Sequence, residues 1–384
     1  MTMKPRLLYA NDSYFERILK WQGLLLESAG QIYKLQNADL YNYLVDINKV
    51  FSQAPKGQPI DRTGFAFCPV KFHVDRAWRI PTQQKTLDQA LKARVLSLAQ
   101  TQEKINVFWS GGIDSTTMVT AFLKHLDNKS QLRILYTPWS IYEHPGYIDF
   151  IKKFQSLEII DISGTVYMDT QFDGIFLTGD GGDEFSASLD ESFFIKYGYD
   201  ALFGSWKDFF YQHNPNDKFI NFCENHFAQS GRDISTVLEA RWWFYVTCKN
   251  ASVLHYSKLP YFVDYKNFSP DIVQSFYDCE EYEEFIYWNT DQIMGGPEYT
   301  TWKQHFKSYC YQFDRFEDWY KTKGKFNSNQ TVRYLAKKTA LKNLRFLMIL
   351  SDGTVVKTPN LPFVTHKEYQ EHCSQIDYLF DNDN

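Results

Sequence analysis

The segment Val107-Phe-Trp-Ser-Gly-Gly-Ile-Asp-Ser-Thr116 narrows the possible folds more than any other stretch of the chain. The apolar run from Ile105 to Trp109 reads as a buried parallel strand, Ser110-Gly111-Gly112 breaks it, and a helical pattern follows through Asp114, Met118, Phe122 and Leu126. Strand, glycine turn and helix start, in that order, aim backbone N–H groups and the positive end of a helix dipole at a bound anion. Gly111 and Gly112 let backbone approach the anion, Ser110 and Ser115 add hydroxyl donors, and Asp114 is placed to hold a metal beside phosphates. The Gly-Lys-Ser/Thr ending of the common phosphate loop is missing, so simple γ-phosphate transfer is not what the segment suggests. The plainer alternative is a Gly-Gly turn in an ordinary α/β domain.

The surrounding pattern predicts that domain. A helix over 87–99 precedes the strand at 105–109, and further strands are expected at 132–137, 157–162 and 174–178, with a helix over 146–154. Strands alternating with helices at this spacing indicate an α/β fold with a doubly wound parallel sheet, in which ligands sit beyond the carboxyl ends of the strands. From Glu191 onward the pattern is mainly helical and rich in aromatic residues, with a helix capped by Ser328 and running to about Leu344. A β-hairpin is expected over 345–358, and an acidic, frayed tail at the end. Residues 1–85 form an N-terminal segment of unclear fold, with helical stretches at 14–26 and 40–51 and a strand or two within 63–73. The expected divisions are therefore 1–85, 86–330 and 331–384.

At 384 residues the chain is long enough for a sizeable core, and 44% hydrophobic with 23% charged residues suits a soluble globular protein. A net charge of −5 argues against a general nucleic-acid binder. The six cysteines include no Cys-x-x-Cys pair, the nine histidines show no metal-ligand spacing, and no apolar run is long enough to span a bilayer. A reduced, cytoplasmic protein without structural zinc or membrane contact is the expectation.

A second motif, Phe176-Leu-Thr-Gly-Asp-Gly-Gly-Asp-Glu-Phe185, pairs another strand with an acidic glycine turn; carboxylates at Asp180 and Asp183 suit Mg²⁺. Together the two motifs resemble the Ser-Gly-Gly-x-Asp-Ser and Gly-(Glu/Asp)-Gly-x-Asp-Glu elements of the asparagine synthetase family, whose synthetase domain is a pyrophosphate-loop ATP pyrophosphatase. Pro260-Tyr-Phe-Val-Asp264, Lys303-Gln-His-Phe-Lys307 and Lys323-Gly-Lys-Phe326 resemble later family elements, so the likeness covers roughly residues 86–330. It implies an adenine nucleotide α-hydrolase-like fold that binds ATP through Ser110, Gly111, Gly112, Asp114, Ser115 and Gly179, with Mg²⁺ on Asp114 and Asp183. It also implies an AMP-forming carbon–nitrogen ligase in which Asp180 favours attack by ammonia or an amine over ring closure and Lys323 stabilises charge on the acyl-adenylate. Full-length members begin with a glutaminase domain whose nucleophile is a leading cysteine. Here the sequence begins Met1-Thr2-Met3, Cys68 is the first cysteine, and 109 residues precede Ser110, so a separate glutaminase subunit or free ammonia is the expected nitrogen source. The stretch before Pro260 lacks the family's acidic residues, which leaves the carboxylate substrate open.

Other readings remain. Gly181-Gly-Asp-Glu-Phe185 also spells the signature of diguanylate cyclases, but no arginine lies between Arg133 and Arg232 to supply that family's accompanying elements. Residues 319–351 carry eight basic and no acidic side chains, as a pyrophosphate-loop enzyme that modifies a nucleotide or tRNA base would. A non-catalytic nucleotide-binding module is the third possibility.

Overall fold

Five parallel strands form the central sheet of the computed structural model, which describes residues 6–7, 38–51, 61–63, 65, 78–162, 172–185, 193, 196–250, 273–290, 303–323, 346–349 and 355–358. In chain order the elements are α1 (Ala38–Phe51), α2 (Leu87–Ala99), β1 (Ile105–Phe108), α3 (Ile113–His125), β2 (Leu132–Tyr136), α4 (Pro138–Glu143), α5 (Tyr147–Ile151), β3 (Glu158–Asp161) and β4 (Ile175–Thr178). A single helical turn, Gly182–Phe185, leads on to α6 (Trp206–His213), α7 (Asp217–Ala228) and α8 (Val237–Phe244). Then come β5 (Val273–Ser275), α9 (Glu280–Trp288), α10 (Gln304–Asp314) and α11 (Glu317–Thr322).

The strand order is β3-β2-β1-β4-β5, and every neighbouring pair is parallel. The chain therefore builds outward from β1 to one edge, then crosses back and builds outward from β4 to the other. The order reverses between β1 and β4, and in open α/β sheets ligands bind beyond the carboxyl ends of the strands at such a reversal. Ser110–Gly112 follows β1, and Gly179–Asp183 follows β4.

Burial explains why these segments are strands. A parallel sheet covered on both faces selects near-continuous apolar runs rather than alternation. Ile105, Val107, Ile134 and Leu177 are fully buried, and every residue of β4 is buried. Asn106 and Arg133 are polar but buried as well. Arg133 Nη1 donates to Asn106 Oδ1 at 2.8 Å, Asn106 Nδ2 donates to the Ile175 carbonyl at 3.1 Å, and Arg133 Nε donates to Glu158 at 2.8 Å. These bonds satisfy the polar groups at the amino ends of the strands.

The helix expected over 87–99 is present. Thr86 and Gln89 close a reciprocal capping box around its start, which satisfies two N–H groups. Helix α2 packs on α3 and α9, and α10 packs on α3. The four strands expected from sequence are all present. β5 departs from the mainly helical pattern expected after Glu191: Val273-Gln-Ser275 pairs with β4 in register Phe176↔Val273. Three residues carry no readable period, so tertiary pairing alone decides them.

The aromatic-rich stretch after residue 193 supplies a continuation of the core. Trp206, Phe210, Phe219, Trp242 and Trp243 are all buried, and Arg241 threads among them, donating to the Phe51 carbonyl at 2.8 Å with its guanidinium 4.4 Å from the Tyr245 ring centroid. Helix α1 joins this cluster through Tyr43 against Phe219 and Phe51 against Phe210. The hairpin of Phe346–Ile349 and Val355–Thr358 is present with the expected antiparallel pairing, and Arg6–Leu7 adds a third strand to it. The expected helices at 14–26 and 328–344 and the tail lie outside the described residues, as does nearly all of 63–73. No helix among the described residues is long and apolar enough to cross a membrane.

Candidate functional site

The loop after β1 folds tightly back on the sheet. The Trp109 N–H continues the ladder by donating to the Leu135 carbonyl at 2.9 Å, and Ser140 Oγ on α4 donates to the Trp109 carbonyl at 2.7 Å. Gly111 then turns with φ of +77°, and a Cβ there would lie 2.2 Å from the Ser140 carbonyl oxygen, so only glycine fits. Helix α3 starts at Gly112, which offers no side-chain cap to the N–H groups of the first turn. The N–H groups of that turn have no partner within the helix, as at any helix start, and the dipole there favours an anion. Ser110 and Ser115 meanwhile close the loop on itself, their hydroxyl oxygens 2.9 Å apart and the Ser110 N–H donating to Ser115 Oγ at 3.1 Å.

The turn after β4 comes to the same place. A Cβ on Gly182 would sit 2.5 Å from Asp114 Oδ1, so the second turn packs directly on the first loop's carboxylate. β5 supports both. Ser275 Oγ donates to the Asp180 carbonyl at 2.5 Å, and the buried Tyr277 hydroxyl donates to the Asp114 carbonyl at 2.7 Å.

Asp114 and Asp183, contributed by different turns, share one cation. The Lys303 ammonium contacts both carboxylate oxygens of Asp114, one at 2.5 Å, and also pairs with Asp183. The lysine side chain is 3% exposed, whereas the Asp114 and Asp183 side chains are 20% and 32% exposed. The ammonium therefore approaches from the protein side, and the acids keep an open side toward solvent.

A second lysine pair lies behind the loop. Lys323 Nζ is bonded to Glu143, both side chains being almost fully buried, and the Glu143 Cβ is in the contact zone of Gly111. Lys307, four residues along α10 from Lys303, donates to the Lys323 carbonyl at 3.0 Å. Burial lowers the Lys323 pKa, although Glu143 pulls it back up. Burial, with repulsion from Lys323, lowers Lys307 to about 8. His144 stacks on Trp319 at 4.4 Å between ring centroids, and burial and then Lys323 hold its pKa near 3, so the ring is neutral.

Of the residues picked out from sequence, the structure brings Ser110, Gly111, Gly112, Asp114, Ser115, Gly179 and Asp183 into one neighbourhood beyond the carboxyl ends of β1 and β4. Asp180 is half-buried in the same turn. Lys323 joins through Glu143 and not directly. Lys321 is 63% exposed and pairs with Glu317 one turn away, so the two lysines stand in different environments. Pro260–Asp264 and Lys325 lie outside the described residues. Sequence reasoning missed Glu143 and Tyr277, and took Lys303 only as part of a motif.

One further cluster has metal-ligating residue types. Atoms of Asp61, His226 and Cys248 lie within 4.8 Å of one another, which dispersed cysteines and histidines had not suggested. Trp243 Nε1 contacts His226 Nδ1 at 3.2 Å and the His226 carbonyl at 3.1 Å, and His226 Nε2 lies 3.5 Å from Asp61 and 3.7 Å from Cys248 Sγ. In comparisons with known proteins, no protein-family model and no curated protein matches the chain.

Proposed function

We propose that this protein is an ATP-dependent, AMP-forming carbon–nitrogen ligase, similar in chemistry to the asparagine synthetases. The observation that carries the reading is the meeting of two glycine turns at the reversal of strand order, where Asp114 and Asp183 share one cation. Carboxylates close enough to share an ammonium are close enough to share a small divalent ion, and all-oxygen donors suit Mg²⁺. The doubly wound, pyrophosphate-loop form of the sheet is part of the same proposal.

Asp114 and Asp183 would hold Mg²⁺, which supplies neutralisation of phosphate charge. Gly111, Gly112 and the first turn of α3 would bind the β- and γ-phosphates through backbone N–H groups, with Ser110 and Ser115 hydroxyls turning from each other to the anion. Gly179 keeps the second turn close to Ser115. The substrate carboxylate attacks the α-phosphorus, a P–O bond forms, the α–β bridge breaks and pyrophosphate leaves. Ammonia or an amine then attacks the acyl carbon, forms the C–N bond, expels AMP and loses a proton. Asp180, at the position that the resemblance links to attack by ammonia or an amine, would act at this step. Lys323, held by Glu143, supports charge on the acyl-adenylate through a water-poor surround, where such stabilisation is strongest. A nitrogen donor delivered by a separate glutaminase subunit remains part of the proposal.

ATP–pyrophosphate exchange with a panel of carboxylic acids tests the reading. Exchange that depends on one acid, with AMP as the nucleotide product, supports it, and ADP accumulation defeats it. RNA-dependent exchange that weakens steeply with salt would favour the nucleotide- or tRNA-modifying alternative instead.

A further inference from the structure

Lys303 reaches into the site from an unusual backbone. Its φ of 54° and ψ of 34° are left-handed, a conformation that costs a β-carbon-bearing residue energy and persists where the surroundings hold it. The Lys303 carbonyl accepts the first backbone bond of α10, from Lys307 N at 3.0 Å, so the helix starts immediately behind the strained residue. The result delivers an ammonium to both oxygens of Asp114 and to Asp183, from the inside, with the lysine itself out of water.

We propose that Lys303 is the site's own counter-ion, which holds the two carboxylates in position for a metal and keeps a free divalent cation out until nucleotide phosphates arrive. The inference rests on the reading of Asp114 and Asp183 as metal ligands. A divalent ion entering alone must take at least one Asp114 oxygen from the ammonium and then sit beside that positive charge. Two carboxylates cannot offset an ammonium and a divalent ion together. The triphosphate changes the balance, because its oxygens serve both the metal and the displaced ammonium. Metal and nucleotide binding are therefore positively coupled, and the coupling is the same whichever binds first. Lys303 is a positioning residue in this scheme, and it also prevents occupation by metal without substrate.

The test uses Mn²⁺ as a paramagnetic probe, titrated into the full chain with and without a non-cleavable α,β-methylene ATP analogue and followed by electron paramagnetic resonance. In the wild-type protein, the analogue is expected to tighten Mn²⁺ binding by on the order of tenfold or more. Lys303→Met should bind free Mn²⁺ on the order of tenfold more tightly than wild type, and the analogue should add little further. Lys303→Arg keeps the charge and should restore the coupling. Folded Lys303→Met with wild-type or weaker affinity for free Mn²⁺ would overturn the proposal. If Lys303→Met does not fold, wild-type protein that binds Mn²⁺ equally well without the analogue overturns it just as well. Asp114→Asn with Asp183→Asn separates the two claims. Mn²⁺ binding that survives the double substitution removes the metal-site reading itself, whereas binding lost there with no effect of Lys303→Met removes only the role of Lys303.

Discussion

Two lysines from one stretch of chain, Lys303 and Lys323, each reach back to an acid near the loop after β1, yet they make opposite kinds of contact. Lys303 is shared by two carboxylates whose outer sides meet solvent, and Lys323 is locked to Glu143 with both partners buried. An ion pair at an opening can exchange partners, because water or a ligand replaces what is lost. A buried pair cannot: removing one member strands the other's charge, at a cost of about 3–5 kcal/mol. The first is therefore suited to exchanging partners during turnover, and the second to holding α11 against α4 with the Lys323 charge fixed in place. Substitutions can break the contrast at either end.

The largest effect is expected at the opening. Asp114→Asn and Asp183→Asn should each lower ATP–pyrophosphate exchange by roughly 10²–10³-fold, the scale of losing one charge-stabilising group in a site. The melting midpoint should stay near that of wild type, since both acids are partly exposed. Equal losses of stability and exchange would mean that these acids hold the fold and not the ligand.

At the buried pair the order reverses. Glu143→Gln should cost about 3–5 kcal/mol in denaturant unfolding by leaving the Lys323 ammonium uncompensated. The double substitution Glu143→Gln, Lys323→Met should recover much of that loss. A double variant no more stable than Glu143→Gln would show that packing, not charge, ties these elements. Exchange measured on the stabilised double variant isolates the chemical role of Lys323, which should appear as a roughly 10²-fold slower step if its charge acts on the acyl-adenylate.

A third effect is read from pH. His144 packs against Trp319 beside the buried pair, and its pKa falls from the ordinary value of 6.5 to about 3. A lowered folded pKa means that the unfolded chain binds the proton first as pH drops. Stability from this group is full above about 6.5, is lost as pH falls from there to about 3, and changes no further below that. The slope is about 1.4 kcal/mol per pH unit for one proton within the window. His144→Phe should flatten that part of the stability profile, and an unchanged acid limb would remove His144 as its source.

How much of this was legible follows the range of the interactions involved. The strand, glycine turn and helix around Gly111 are local, so spacing and residue type suffice, and the capping box at Thr86 sets the start of α2 within a single turn. β5 depends on pairing across almost a hundred residues with β4, which no window around Val273 contains. The same holds for Lys303. Its residue type was visible, but its partners stand 189 residues and 120 residues earlier in the chain, and a left-handed lysine before a helix has no propensity signature. Glu143 was hidden for the opposite reason: a glutamate at the end of a short helix reads as exposed until the Lys323 side chain pairs with it.

The smallest effect is expected from Lys321, and it sharpens the comparison most cheaply. Sequence alone singled out Lys323 over Lys321 and Lys325 only by its distance from Phe326. The structure separates Lys321 from Lys323 by environment: Lys321 pairs with Glu317 along the outer face of α11, and the pairing raises the Lys321 pKa and lowers that of Glu317. An exposed pair one helical turn apart gains little, since water and salt screen it and two long side chains must be held still. Lys321→Ala should leave the melting midpoint and the exchange rate unchanged within about twofold. It should behave the same at low and high salt. Should Lys321→Ala slow exchange as much as the substitution of Lys323 on the stabilised background, the outer face of α11 would be what meets the ligand, and the buried pair would be only its support.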